Sequence, residues 1–159
     1  MEINKKSIEL KPEVFFKPQT WNDRPKEQGI RPSLSNKIKV HKVLTCKDNV
    51  SAEYISKILR DKNERRIFVV DNQGLLKGII TTTDLVYKVL AEDNEKLLAK
   101  DIMTSDVLSV DISEDLNKAL EIMNKIKSYS CPITDNGKLL GMVSYHDIFS
   151  HVVTTIGEK

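Results

Sequence analysis

Two cysteines, six glycines, one tryptophan and three histidines are all that 159 residues provide of those types. Each scarcity removes a class of protein. Cys46 and Cys131 lie far apart and both fall in apolar, strand-like stretches. Two buried thiols are therefore expected rather than a disulfide framework or a thiolate metal site. The histidines show no ligand spacing with the cysteines, so no metal site is expected. Uninterrupted apolar runs last only a few residues, so no membrane-spanning helix is expected. The leading Met-Glu-Ile-Asn-Lys-Lys has no signal-like apolar stretch, and a cytoplasmic protein is the expectation. No Gly-rich phosphate loop and no nucleophile–base pair is visible, so an enzyme is not expected.

What is present is ordinary for a soluble globular chain: 40% hydrophobic and 30% charged residues. The net charge of +2 is uneven. Residues 1–44 carry ten basic against five acidic side chains, leaving an excess of acid in the remainder. Four of the five prolines also lie in residues 1–36, interleaved with Phe15, Phe16 and Trp21. That spacing breaks any helical period. The segment reads as an extended arm whose aromatics dock on the body or on a partner subunit. An arm contacting a partner protein or nucleic acid is the alternative, with nucleic acid the less favoured because the charge is mixed.

The body is a duplication. Gly78–Asp84, Gly-Ile-Ile-Thr-Thr-Thr-Asp, returns as Gly141–Asp147, Gly-Met-Val-Ser-Tyr-His-Asp. Each copy runs from a short apolar strand into an amphipathic run. A Thr or Ser three residues before an Asp is a helix-capping pattern. A helix start also presents unpaired N–H groups to an anion. Both readings stand at this point. Around the copies, Val43–Cys46 reads as a strand and Asn49 or Ser51 as the cap of a helix burying Val50, Tyr54, Ile55, Ile58 and Leu59. Ile67–Val70 reads as a buried strand, 71–74 as a turn, Leu75–Thr81 as the return strand, and 81–90 as a helix with Leu85, Val86 and Val89 inward. After a charged linker the order repeats: strand Val107–Val110, a helix capped by Ser113, strand Cys131–Thr134, turn 135–137, strand Lys138–Val143 and helix Ser144–Val153. One such unit is too small for an independent core, so the two are expected to pair.

This order resembles the cystathionine-β-synthase (CBS) domain pair, or Bateman module, over about three quarters of the chain. The marks are Asp101-Ile102-Met103-Thr104 before the second repeat, Cys131-Pro132-Ile133 with Asp135, and the two Gly…Thr/Ser-x-x-Asp endings. The resemblance implies an α/β (α+β) fold of two β-α-β-β-α repeats packed face to face about a pseudo-two-fold axis. The organisation would be an arm at 1–36, repeats at 37–97 and 98–155, and a tail at 156–159. It implies a non-catalytic sensor that binds an adenosyl compound such as AMP, ADP, ATP or S-adenosylmethionine between the repeats, as a homodimer reporting to some partner protein. The first site would use Thr81, Thr83 and Asp84 with Thr104, Leu108, Ser128 and Ser130 opposite. The second would use Ser144, His146 and Asp147 with Val40, Leu44, Glu64 and Arg66 opposite. Each Asp would accept ribose hydroxyls and each Thr or Ser would meet phosphate. Val40 and Arg66 depart from the small or hydroxyl residues usual there, which favours the Asp84 site. The alternative is a structural or interaction module whose clefts stay empty and whose two motifs are caps.

Overall fold

A computed structural model describes residues 34, 38–91, 94 and 96–157. The expected arm, residues 1–36, lies outside them except for Leu34. The described elements are β1 (Thr45–Cys46), α1 (Ala52–Lys62), β2 (Arg66–Val70), β3 (Leu76–Thr81) and α2, which starts as Thr82–Asp84 and continues as a π-wound stretch, Leu85–Leu90. There follow α3 (Ala99–Ile102), β4 (Val110–Asp111), α4 (Leu116–Lys125), β5 (Ser130–Asp135), β6 (Lys138–Ser144) and α5 (Tyr145–Gly157). The fold is mixed α+β with two β-α-β-β-α repeats, as the duplication predicts.

Each repeat builds its own three-stranded sheet, β1-β2-β3 and β4-β5-β6. The first strand is parallel to the second and the second antiparallel to the third. Local chemistry explains the boundaries. Ser51 accepts a hydrogen bond from the Tyr54 N–H and starts α1, and Asn63 stops it in the left-handed conformation (φ 52°). Lys127 (φ 51°) ends α4 in the same way, so the two stops deliver the chain into Arg66 and Ser130 alike. Asp115, not Ser113, caps α4; the Ser113 hydroxyl donates instead to Asp111, which has its own turn to hold. Asn136 and Gly137, with φ 48° and 81°, make the tight turn between β5 and β6.

The repeats exchange their leading segments. Leu34 and Ile38 precede β1 of the first sheet but are buried in the core of the second repeat, among Val110, Met123 and Ile133. Ala99 and Ile102 precede β4 of the second sheet but are buried in the core of the first repeat, among Ile55, Ile67 and Ile80. Backbone pairing repeats the exchange. His41 pairs with Met142 through bonds of 2.8 and 2.9 Å, and Thr104 pairs with Ile79 through bonds of 3.0 and 2.9 Å. The two hairpin turns also bond to each other, Leu76 N to Gly137 O at 3.0 Å and Leu139 N to Gly74 O at 3.1 Å. Each half lends the other a strand-like segment, in line with the expectation that one repeat is too small for an independent core.

Close approach of the exchanged segments accounts for the glycines of the duplicated motif. A β-carbon on Gly78 would lie 2.6 Å from the Met103 sulfur, and one on Gly141 would collide with the His41 carbonyl oxygen. Just before each glycine the return strand carries an irregular register step, between Val69 and Val70 and between Ile133 and Thr134 on the partner strands. That step turns the strand toward the crossing segment.

Candidate ligand cleft between the repeats

The face of the first sheet toward the second carries the cross-strand pairs Arg66–Thr81 and Phe68–Ile79. The facing pairs of the second sheet are Ser130–Ser144 and Pro132–Met142. Between them lies a cavity of about 340 Å³. Phe68, Ile79, Val107, Leu108, Ile126, Pro132 and Met142 form its apolar walls, with Thr104, Ser128 and Ser130 adding hydroxyls and Arg66 and Asp106 adding charge. This volume falls in the range of small-molecule sites, and such walls suit a flat heterocycle with a few polar anchors.

The cavity brings together Thr104, Leu108, Ser128 and Ser130, the four residues expected opposite Asp84. Arg66, expected at the second site, lines this same cavity, and its Nη1 lies 3.4 Å from Ser130 Oγ. Thr81, Thr83 and Asp84 are not among the lining residues; Thr81 sits beside Arg66 in strand register. Leu44 packs partly buried against the core of the first repeat, and His146 and Glu64 are exposed.

Both aspartates close the capping box that their motif spells. Asp84 Oδ2 accepts from Thr81 N at 2.8 Å and Thr81 Oγ1 at 2.7 Å, while the Asp84 N–H donates to Thr81 Oγ1. Asp147 Oδ2 accepts from Ser144 N at 2.8 Å and from the Ser144 hydroxyl, and its N–H donates back. In each case the second oxygen meets a cationic or ionisable side chain. Lys88 Nζ lies 2.9 Å from Asp84 Oδ1 and also donates to the Ile102 carbonyl at 2.7 Å. His41 Nε2 lies 2.8 Å from Asp147 Oδ1. Burial opposes ionisation of both carboxyls but is outweighed. Bonds from Thr81 and Lys88 hold Asp84 below the ordinary aspartate value. Bonds from Ser144 and His41 bring Asp147 down to about 2.

His41 is the residue that sequence reasoning missed. Its bridge to Met142 is the counterpart of the Thr104 bridge to Ile79, so His41 occupies the position that Thr104 holds in the other half. Val40 lies one residue earlier, with its Cγ1 close to where a Gly141 β-carbon would sit. The two halves fall out of step because the second has one residue more between this bridge and its first strand, where Asp106 takes a positive φ of 55°. Aligning His41 with Thr104, through the constant spacing from each crossing segment to its glycine, would have found it.

Burial pushes the Cys46 thiol up to about 11 and the Cys131 thiol to about 12, so neither is a reactive thiolate. Among the described residues no group of three or more His, Cys, Asp or Glu side chains is placed to hold a metal ion. No helix among them is long and apolar enough to cross a membrane.

Two repeats that swap their leading segments around one crevice define a tandem-repeat module. The chain belongs to the CBS domain family: the CBS domain model matches residues 36–91 and 99–154. Among solved structures it is similar to the CBS domain pair of protein MJ0100 in complex with 5′-methylthioadenosine and S-adenosyl-L-methionine. Identity there is 28%, with 82% of this chain and 100% of that one covered and a TM-score of 0.60. A conserved protein from Pyrococcus horikoshii is 18% identical over 78% of this chain and 94% of that one, TM-score 0.60. The cytosolic domain of the Mg²⁺ channel MgtE in complex with ATP is 23% identical, TM-score 0.59; the match covers 69% of this chain and 44% of that one. The last two likenesses bear on fold alone. Comparison with curated proteins found no match.

Proposed function

We propose that the chain is a non-catalytic regulatory module of the cytosol that takes an adenosyl compound into the cleft between its repeats. One observation carries this reading. The 340 Å³ cavity draws its walls from both repeats, with Phe68 and Ile79 on one side and Leu108, Pro132 and Met142 on the other. A flat base between those apolar groups would couple the two halves, because each half supplies one side of the slot. Ribose and any phosphate would then extend toward Thr81, Thr83 and Asp84, whose strand ends beside Arg66. The adenosyl ligands of the MJ0100 domain pair support the same class. Asp147, Ser144 and His146 are assigned a second, weaker site, since the residues expected opposite Asp84 gather on the cavity while of those expected opposite Asp147 only Arg66 does.

The competing reading is a scaffold in which both motifs serve only as caps. It draws on the closed capping boxes and on Lys88 at Asp84 Oδ1. Mass spectrometry of the denatured, extracted protein decides between them in a first pass, by finding a copurified adenosyl compound. Calorimetry on protein stripped of ligand then tests the site, with Asp84→Ala expected to weaken binding at least tenfold. Absence of heat with every adenosyl compound leaves the scaffold.

The same reading assigns a second copy of the chain as a partner. Val86 and Leu90 on α2 and Phe149 and Val153 on α5 are exposed apolar residues at matching places in the two repeats, with exposed Tyr87 beside the first pair. Light scattering is expected to give the mass of a dimer, and Phe149→Glu is expected to lower it.

A further inference from the structure

Arg66 has no counterpart in the duplication. The second repeat has Ser130 at the same place in its strand, and the two side chains meet across the cleft at 3.4 Å. A guanidinium keeps its charge at every working pH and offers five donors. Here its one hydrogen bond among the described residues goes to a neutral hydroxyl, and no carboxylate pairs with it. It is half-buried, while Asp106, the one acid on the cavity wall, is exposed on a loop with positive φ. The remaining walls are apolar or carry neutral hydroxyls. A cation held in such a place is best matched by an anionic group arriving with the ligand.

We infer that Arg66 makes this cleft selective for phosphate-bearing adenosyl compounds over neutral or cationic ones such as 5′-methylthioadenosine and S-adenosylmethionine. The inference rests on the proposed adenosyl reading and sharpens it to one ligand class. Arg66 stands beside Thr81 in strand register, so the guanidinium enters the slot from the strand end where the Thr81–Asp84 cap begins. A phosphate there would take bidentate bonds from Arg66 while the base kept its apolar walls. A sulfonium in the same place would meet a like charge.

The test is a selectivity ratio. AMP and 5′-methylthioadenosine are titrated calorimetrically into ligand-free wild type, Arg66→Met and Arg66→Lys. The wild type is expected to prefer AMP at least tenfold. Arg66→Met brings the ratio close to one by weakening AMP far more than 5′-methylthioadenosine, because the charge is lost while an apolar stem remains on the wall. Arg66→Lys retains part of the preference, since charge survives without the planar fork. An unchanged ratio in Arg66→Met, or equal weakening of both ligands, overturns the inference. If neither ligand binds the wild type, inorganic pyrophosphate is added at constant ionic strength and the melting temperature followed. A rise in the wild type that Arg66→Met lacks keeps the anion site and removes the adenosyl reading. No rise in either protein removes both.

Discussion

Replacing Asp147 with Asn isolates the work of one carboxylate. The side chain is 7% exposed and joins two halves of the molecule, capping α5 through Ser144 and holding His41 from the crossing segment. Its pKa falls from an ordinary 3.8 to about 2. A depressed carboxyl stabilises the folded state above its unfolded pKa, and that stabilisation is lost as pH falls through the folded value. A shift of this size corresponds to about 2 kcal/mol at neutral pH. Urea unfolding of wild type and Asp147→Asn from pH 7 to pH 2.5 reads the difference directly. Above about pH 5 the gap should be flat at about 2 kcal/mol; it should narrow below pH 4 and fall to roughly a third of that near pH 2.5. His41→Ala, measured alongside, should remove part of the same gap and leave the cap. A gap that stays constant down to pH 2.5 would mean that shape, not charge, is at work. No gap at pH 7 would refute the pairing altogether.

Three further outcomes follow from the packing. Gly141→Ala should destabilise far more than Gly78→Ala, because the first meets a backbone carbonyl and the second the flexible Met103 side chain. Urea midpoints should show roughly 1–3 kcal/mol for Gly78→Ala, with Gly141→Ala beyond it or failing to fold. Asp115→Ala should cost about 1 kcal/mol by the same assay, and Ser113→Ala less, since Asp115 is the cap of α4. Lys88→Met removes a partly exposed pair and should change stability by less than about 1 kcal/mol. It also frees Asp84 Oδ1, so adenosine should bind several-fold more tightly by calorimetry; weaker binding would argue against a ribose role for Asp84.

Much of the architecture was legible because local chemistry and the duplication agree. Two apolar strands, each followed by a Gly-containing turn and a return strand, could hardly be placed elsewhere, and the capping pattern marks where α2 and α5 begin. The inward faces were read less well. Tyr54 and Val86 fit a helical apolar stripe but are 58% and 51% exposed, because neighbouring Ile55 and Leu85 fill the core first. The exchange of core residues between the leading segments was not legible in local chemistry, although the family resemblance set Thr104 opposite Asp84. Nothing local in Leu34 or Ile38 says that their core is the distant one, formed by Val110 and Ile133. That long-range pairing also hid His41, since a single added residue near Asp106 shifts the two halves out of step. Arg66 was noticed as a departure from pattern, but only the facing sheets show that it lines the cavity shared with Ser128 and Ser130.

The most direct measurement titrates the nucleotide-free protein and its Thr104→Trp variant with AMP, ATP, 5′-methylthioadenosine and S-adenosylmethionine in a calorimeter. Thr104 is exposed and joins Ile79 through its backbone, so an indole there fills the cavity without breaking the bridge. Saturable heat for at least one compound in the wild type, at one ligand per chain and abolished in the variant, is the predicted result. A wild type that binds none of the four, or a variant that binds as well as the wild type, would contradict a ligand seated between the repeats.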